Sequence, residues 1–200
     1  MKKLIVTAIS AALCLSACNA AQPSADVAEL KADVEELKLE VFGDPNLKCA
    51  AENVIVDPQD YTQNASDIPD VIEDLAEWHR QNGERDNVFT TETGLQYTVV
   101  KNGNEGAPTP TSDQIVRVHY HGYFPNGDVF DSSYNRGEPI EFPVTGVISG
   151  WIEALQKMKP CDAWTLYIPS DLAYGPSGRG SIPPSSSLLF NVQLLEIKNP

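Results

Sequence analysis

The sequence predicts an α+β protein in which an antiparallel sheet folds over one helix and is preceded by N-terminal helices. From Thr93 onward, apolar residues alternate with a period of two in several short segments, and one segment among them has helical spacing instead. Turn residues separate these segments, and strands and helices do not alternate regularly, so an antiparallel sheet is favoured. The chain also carries 15 prolines in 200 residues, which favours long loops over a helical bundle.

The composition is that of a globular protein with one core of ordinary size, because 42% of the residues are hydrophobic and 21% are charged. The formal net charge is −14. A surface that binds nucleic acid needs a basic face to neutralise phosphates, so we expect no nucleic-acid partner.

The first 17 residues have the form of a signal peptide. Lys2 and Lys3 precede an apolar stretch, residues 4–15, that is too short to span a membrane. The following "LSAC" resembles the lipobox of bacterial lipoproteins, so Cys18 is the predicted lipidation site. The mature chain would then be anchored by its N-terminal lipid to a membrane of the cell envelope, facing the periplasm. The alternative is an ordinary secretory signal that is cleaved nearby, for example after "ACNA".

Residues 24–42 are predicted to form an amphipathic helix that begins at Ser24 and ends near Gly43. Its apolar residues follow a 3-4-3-4 spacing: Val27, Leu30, Val34, Leu37 and Val41. This spacing is typical of a coiled coil that would make a homo-oligomer. It is equally consistent with one helix that packs on its own domain, because only about two heptads are present.

A second helix is predicted from about Pro69 to Gln81, within a leader of residues 49–92 that is otherwise irregular. Its buried side is expected to include Ile72, Leu75, Ala76 and Trp78.

The sheet is predicted from five alternating or apolar segments: residues 94–100, 114–124, 140–144, 163–168 and 187–197. Residues 147–158 are predicted to form the helix, because Trp151, Leu155 and Met158 fall on one face. The stretch 169–187 is rich in glycine and proline but has apolar anchors, so an ordered functional loop is expected there.

Two histidines, His119 and His121, suggest a metal site at first sight. Neighbours two apart in a strand share a face, so Arg117 would lie beside both histidines and make a poor environment for a cation. Asp128 belongs to the turn "PNGD" of a hairpin. We therefore expect no metal. No nucleophile motif and no phosphate-binding loop is present either, and no cofactor is expected.

From about Thr93 to Lys198 the sequence resembles the FKBP-type peptidyl-prolyl cis-trans isomerases, and it looks most like their bacterial secreted branch, which includes the macrophage infectivity potentiator proteins. Six motifs occur in family order: "TTETGLQY", "VRVHYHGYFPNGDVFDSS", "RGEPIEFPV", "VISGWIEALQKM", "YIPSDLAYG" and "IPPSSSLLFNVQLLEI". The resemblance implies a five- to six-stranded antiparallel half-barrel wrapped round the central helix, with an apolar pocket on its concave side.

Residue by residue, the resemblance places Trp151 at the pocket floor and Asp131, with its ion partner Arg136, in the wall. The pocket residues that it implies are Tyr120, Phe130, Asp131, Phe142, Val147, Ile148, Trp151, Tyr174, Ile182 and Phe190.

The sequence departs from the family at several places. Ile140 stands where many members carry an aromatic residue, and the loop around Arg179 is one residue short. Cys161 replaces a common glycine in the turn between helix and strand, which we expect to be exposed. With the signal peptide and Cys18 set aside, Cys49 and Cys161 form the single remaining pair of cysteines. They are either a disulfide or two unrelated thiols.

The resemblance implies an isomerase that acts on Xaa-Pro bonds of exported proteins and that binds macrolide inhibitors. The alternative is a non-catalytic peptide-binding chaperone, or an envelope scaffold, that uses the same groove. The predicted organisation is a signal peptide at 1–17, an anchor and helix at 18–48, a leader at 49–92 and an isomerase domain at 93–198.

Overall fold

The computed structural model describes residues 47–61 and 74–199. The predicted signal peptide, Cys18, the helix at 24–42 and the first part of the second helix lie outside these ranges. Within them, no helix is long and apolar enough to cross a membrane.

The described chain forms one antiparallel sheet of seven strands. They are β1 (Phe89–Thr90), β2 (Gln96–Lys101), β3 (Ile115–Tyr123), β4 (Val129–Ser132), β5 (Ile140–Pro143), β6 (Ala163–Ile168) and β7 (Leu188–Lys198). The strand order is β1-β2-β6-β7-β3-β4, with β5 also paired to β3. The predicted α+β fold with an antiparallel sheet is therefore confirmed.

The two longest strands are β3 and β7, and β3 pairs with β7 along its whole length, from Ile115↔Lys198 to Tyr123↔Leu189. On its other edge, β3 pairs first with β5 and then with β4, so these two strands share one edge. The sheet is thus six strands wide. It contains seven strands because β4 and β5 pair with different parts of the same edge of β3.

In the described residues, three α-helices accompany the sheet: α1 (Leu75–Gly83), α2 (Ser133–Arg136) and α3 (Ser149–Leu155). Helix α1 begins later than predicted, because the extended residue Asp74 caps it by accepting hydrogen bonds from the N–H groups of Ala76 and Glu77. Trp78 is buried as expected, but Ala76 is exposed, so the predicted burial of Ala76 was wrong.

Helix α3 packs against one face of the sheet and forms the main core with it. Its residues Trp151, Ala154 and Leu155 belong to the same buried cluster as side chains of β3, β6 and β7. The opposite face is covered as well, because Trp78 of α1 packs with Tyr167 of β6. Burial on both faces explains why β6 shows no alternation of exposure, since all six of its residues are buried.

Residues 47–61 form a segment, called the strap here, that lies against β7. The Cys49 N–H donates to the Leu195 carbonyl at 2.6 Å, and the Ile55 N–H donates to Gln193 Oε1 at 2.7 Å. A disulfide joins Cys49 to Cys161 across Cα atoms that are 4.8 Å apart.

Cys161 is only 2% exposed, so the prediction of an exposed turn was wrong. The residue packs in a buried cluster with Cys49 and Leu195, which the strap completes. Its φ of 74° lies in the left-handed region that favours glycine.

Candidate functional site

A cavity of about 500 Å³ opens beside helix α3, a size typical of pockets that bind small ligands or short peptide segments. All ten pocket residues implied by the family resemblance line it, together with Arg136 and Ile140. Two lining residues, Gly146 and Ser181, were missed. Each precedes an implied pocket residue, but a glycine and a serine carry no pattern that would distinguish them from other loop residues.

Four of the six aromatic residues that line this pocket are Trp151 and three rings around it. The ring of Trp151 meets Tyr120 at 5.4 Å and 87°, Phe142 at 6.0 Å and 82°, and Phe190 at 5.2 Å and 84°. Three rings thus stand nearly perpendicular to the indole plane, the edge-to-face arrangement that aromatic pairs prefer. The arrangement gives a flat apolar floor with steep apolar walls.

One polar network lies in the pocket wall. Arg136 of α2 donates through Nη1 to Asp131 Oδ1 and through Nη2 to the Tyr120 hydroxyl at 2.8 Å, while that hydroxyl donates to Asp131 Oδ2. Asp131 therefore accepts from both partners. The ion pair is partly exposed, with 42% of the Arg136 side chain and 46% of the Asp131 side chain accessible.

The network changes the ionisation of its members. Burial acts to raise the pKa of Asp131, but the hydrogen bonds from Tyr120 and Arg136 outweigh it and lower the pKa below 3.8. Burial and the hydrogen bond to Asp131 raise the pKa of Tyr120 to about 12, although Arg136 acts in the opposite direction. At neutral pH the wall therefore presents a carboxylate, a guanidinium and an intact phenol.

The two histidines lie away from this pocket. His119 Nδ1 is 2.9 Å from Ser133 Oγ, and His121 Nδ1 is 3.1 Å from Ser132 Oγ. Neither histidine lines the cavity. In the described ranges, no group of three or more His, Cys, Asp or Glu side chains is placed to hold a metal ion.

The loop between β6 and β7 supplies the rim through Tyr174, Ser181 and Ile182. Arg179 and Ile182 exchange two backbone hydrogen bonds of 2.9 Å, which close a tight turn. Gly178 next to it has φ +64°, and a Cβ there would lie 2.3 Å from the Ile182 carbonyl oxygen. This turn therefore brings the backbone of Gly178 so close to Ile182 that a residue with a Cβ would clash there.

Solved structures that are similar to this chain include the following two. A peptidyl-prolyl cis-trans isomerase from Pseudomonas syringae pv. tomato is 34% identical, with a TM-score of 0.57, and the match covers 62% of this chain and 90% of that one. FkpA from Escherichia coli is 30% identical, with a TM-score of 0.59, and the match covers 100% of this chain and 83% of that one. The chain belongs to the FKBP-type peptidyl-prolyl cis-trans isomerase family.

Sequence relatives agree with this assignment. The model of the FKBP-type peptidyl-prolyl cis-trans isomerase family matches residues 106–195. An FKBP-type 22 kDa peptidyl-prolyl cis-trans isomerase of Escherichia coli is 55% identical over 118 residues, 58% of this chain and 56% of the relative. The peptidyl-prolyl cis-trans isomerase Mip of Coxiella burnetii is 46% identical over 58% of this chain and 50% of the relative.

This FKBP-type chain spans about half the length of the curated relatives that it matches. The matched region contains all of the described residues that line the pocket, from Tyr120 to Phe190. The strap and α1 precede it.

Proposed function

We propose that this chain is a peptidyl-prolyl cis-trans isomerase that accelerates rotation about Xaa-Pro bonds of exported proteins. The observation that supports it best is the aromatic pocket around Trp151, with the Tyr120–Asp131–Arg136 network in its wall. This pocket has the size and the apolar lining that a proline ring and its flanking residues need.

The reaction needs no nucleophile and no proton transfer, because no covalent bond breaks. Its barrier of about 18–20 kcal/mol is the amide resonance that is lost when the bond twists. Uncatalysed exchange takes roughly 10–100 s, so an acceleration of about 10⁵-fold corresponds to about 7 kcal/mol. A pocket can supply this by fitting the twisted amide better than either planar isomer and by excluding the water that hydrogen-bonds the planar form.

Trp151, Tyr174 and Asp131 have separate parts in this scheme. The proline ring lies on Trp151, whose three perpendicular neighbours exclude water around it. Tyr174 on the rim donates a hydrogen bond to a carbonyl of the bound peptide. Asp131 stays ionised, because its pKa is lowered, and it sets the electric field in the wall where the twisting amide changes its dipole.

The enzyme is proposed to act in the cell envelope as a lipoprotein with lipid on Cys18. The N-terminal basic and apolar segments and the "LSAC" sequence support this placement. Labelling of growing cells with a fatty acid tests it. The wild-type chain should carry label, and Cys18→Ser should carry none, whereas equal labelling of both would disprove lipidation at Cys18.

Exchange NMR on a short Xaa-Pro peptide tests the isomerase activity directly. We expect the wild-type chain to accelerate exchange, a macrolide inhibitor to suppress it, and Asp131→Asn to lower kcat/KM by about tenfold, which is about 1.4 kcal/mol. Asp128→Asn is the matched control, because Asp128 lies in the exposed hairpin turn. If Asp131→Asn behaves like Asp128→Asn, Asp131 has no part in catalysis. A folded wild-type chain that binds peptide without accelerating exchange would be a non-catalytic chaperone.

A further inference from the structure

A cation lies at the rim of the pocket, outside the ion pair in its wall. Asp131 and Arg136 form an ion pair in the wall, and no other charged residue in the described part of the chain lines the cavity. Arg179 lies just outside, on the rim loop, with its Cζ 5.8 Å from the centre of the Tyr174 ring. Across residues 47–61 and 74–199, no carboxylate forms an ion pair with Arg179.

The position of Arg179 is fixed relative to the pocket. Its N–H and C=O are both hydrogen-bonded to Ile182, and Ile182 and Ser181 line the cavity. Its side chain is exposed. A guanidinium that packs over an aromatic ring keeps its N–H groups available, and their planar geometry matches a carboxylate. Arg179 is therefore a cation, held on the rim, that is free to pair with a bound ligand.

We propose that Arg179 makes the pocket select Xaa-Pro segments in which a Glu or Asp side chain is directly next to the proline. This inference rests on the proposed function, because it names the substrates of the same pocket. In this scheme, a residue directly next to the proline lies over the rim while the proline ring occupies the floor. The carboxylate of such a residue would meet the guanidinium of Arg179 beside Tyr174.

The negative net charge of the chain contrasts with the positive charge of Arg179 on the rim. The chain has a formal net charge of −14, so an acidic peptide is repelled at long range. Physiological salt screens charges over about 8 Å, whereas a contact on the rim is screened less. The acidic preference therefore has to come from a nearby cation such as Arg179 and not from the field of the whole chain.

Two peptide sets test the proposal by exchange NMR and by equilibrium binding. In one set the residue before proline is Glu, Gln or Lys, and in the other the residue after proline varies in the same way. The chains compared are wild type, Arg179→Gln, Arg179→Glu and the control Lys157→Gln. Lys157 is exposed and outside the pocket, so its replacement makes the same change in net charge without touching the rim.

In at least one peptide set, the wild-type chain and Lys157→Gln should both favour the Glu peptide over the Gln peptide. The expected ratio in kcat/KM or in affinity is about two- to fivefold, which is the range of an exposed ion pair. Arg179→Gln should lose this ratio, Arg179→Glu should favour Lys, and added salt should bring the wild-type ratio towards one.

The proposal would be overturned if the wild-type chain gave equal kcat/KM and equal affinity for the Glu and Gln peptides. It would also be overturned if Arg179→Gln kept the preference for the Glu peptide. Acceleration of the Gln peptides shows separately that the isomerase proposal holds. If no peptide is accelerated, the isomerase proposal fails and the binding ratios alone decide the role of Arg179.

Discussion

The buried hydroxyl of Ser133 holds both main-chain groups of Tyr120. The Tyr120 N–H donates to Ser133 Oγ at 2.8 Å, and this hydroxyl donates to the Tyr120 carbonyl at 3.1 Å. Strand β4 ends at Ser132, so the Ser133 side chain takes the place of the next ladder partner along β3. A residue outside the pocket thus fixes the backbone of a pocket tyrosine.

Ser133→Ala should lower both stability and activity. Ser133 is fully buried, so water cannot reach the two main-chain groups of Tyr120 that the mutation leaves unpaired. We expect the free energy of unfolding to fall by about 1–3 kcal/mol, measured by urea denaturation. We also expect kcat/KM to fall, because the Tyr120 hydroxyl would no longer be held in register with Asp131.

Ser132→Ala is the control for this variant. The Ser132 hydroxyl accepts a long hydrogen bond of 3.4 Å from the Asn135 N–H and lies 3.1 Å from His121 Nδ1. Its loss should therefore lower the free energy of unfolding by less than the loss of the Ser133 hydroxyl. Equal stability and equal kcat/KM for the two variants would show that Ser133 does not position Tyr120.

The disulfide between Cys49 and Cys161 should make stability depend on the redox state. It closes a loop with a sequence separation of 112. A crosslink over a loop of that length restricts the unfolded chain, and its loss is expected to cost about 2–5 kcal/mol. Urea denaturation with and without a reductant measures the difference.

The double variant Cys49→Ser/Cys161→Ser is the matched control, since its stability should equal that of the reduced wild type and should not respond to reductant. The pocket should keep its activity in the reduced protein under native conditions, because neither cysteine lines it. A reduced protein as stable as the oxidised one would mean that the crosslink adds nothing to the strap contacts.

Gly122 on β3 is required by the pocket wall. A Cβ at this position would lie 2.8 Å from ring atoms of both Phe130 and Phe190. We expect Gly122→Ala to push these rings into the cavity and to weaken binding of an Xaa-Pro peptide by about tenfold or more, with destabilisation of about 1–3 kcal/mol from overpacking. Isothermal titration and urea denaturation measure the two effects.

Gly146→Ala is the matched control, because Gly146 also lines the cavity but its Cβ would meet Pro143 only at an ordinary 3.4 Å. It should bind peptide nearly as the wild type does. If both alanine variants bind equally well, the two phenylalanine rings can move aside and Gly122 is not a constraint.

The sequence predicted the sheet well because its strands carry a periodic pattern. Strand β6 coincides with the predicted segment 163–168, and β7 differs by one residue at each end. The pocket could be predicted because its residues belong to family motifs. Trp151, for example, has helical spacing that by itself would only indicate a core residue.

The strap could not be predicted, for a physical reason. It is held by isolated bonds such as those of Gln193, whose Oε1 accepts from Ile55 N–H and whose Nε2 donates to the Asn53 carbonyl at 2.9 Å. Bonds between a side chain and a distant backbone leave no periodicity in either segment. The burial of Cys161 was missed for the same reason, because it depends on the strap that covers it.

The three histidines should make the protein less stable in mild acid. Burial lowers the pKa of His79 and His121 below 6.5, and burial together with the charge of Arg117 lowers that of His119. Because each folded pKa lies below the unfolded value, protons bind the unfolded chain first, and stability is lost as pH falls through the folded pKa values. Urea denaturation from about pH 7.5 to about pH 5.5 should show a falling free energy of unfolding. His121→Gln should show a smaller fall, and a free energy that stays constant or rises over this range would contradict the prediction.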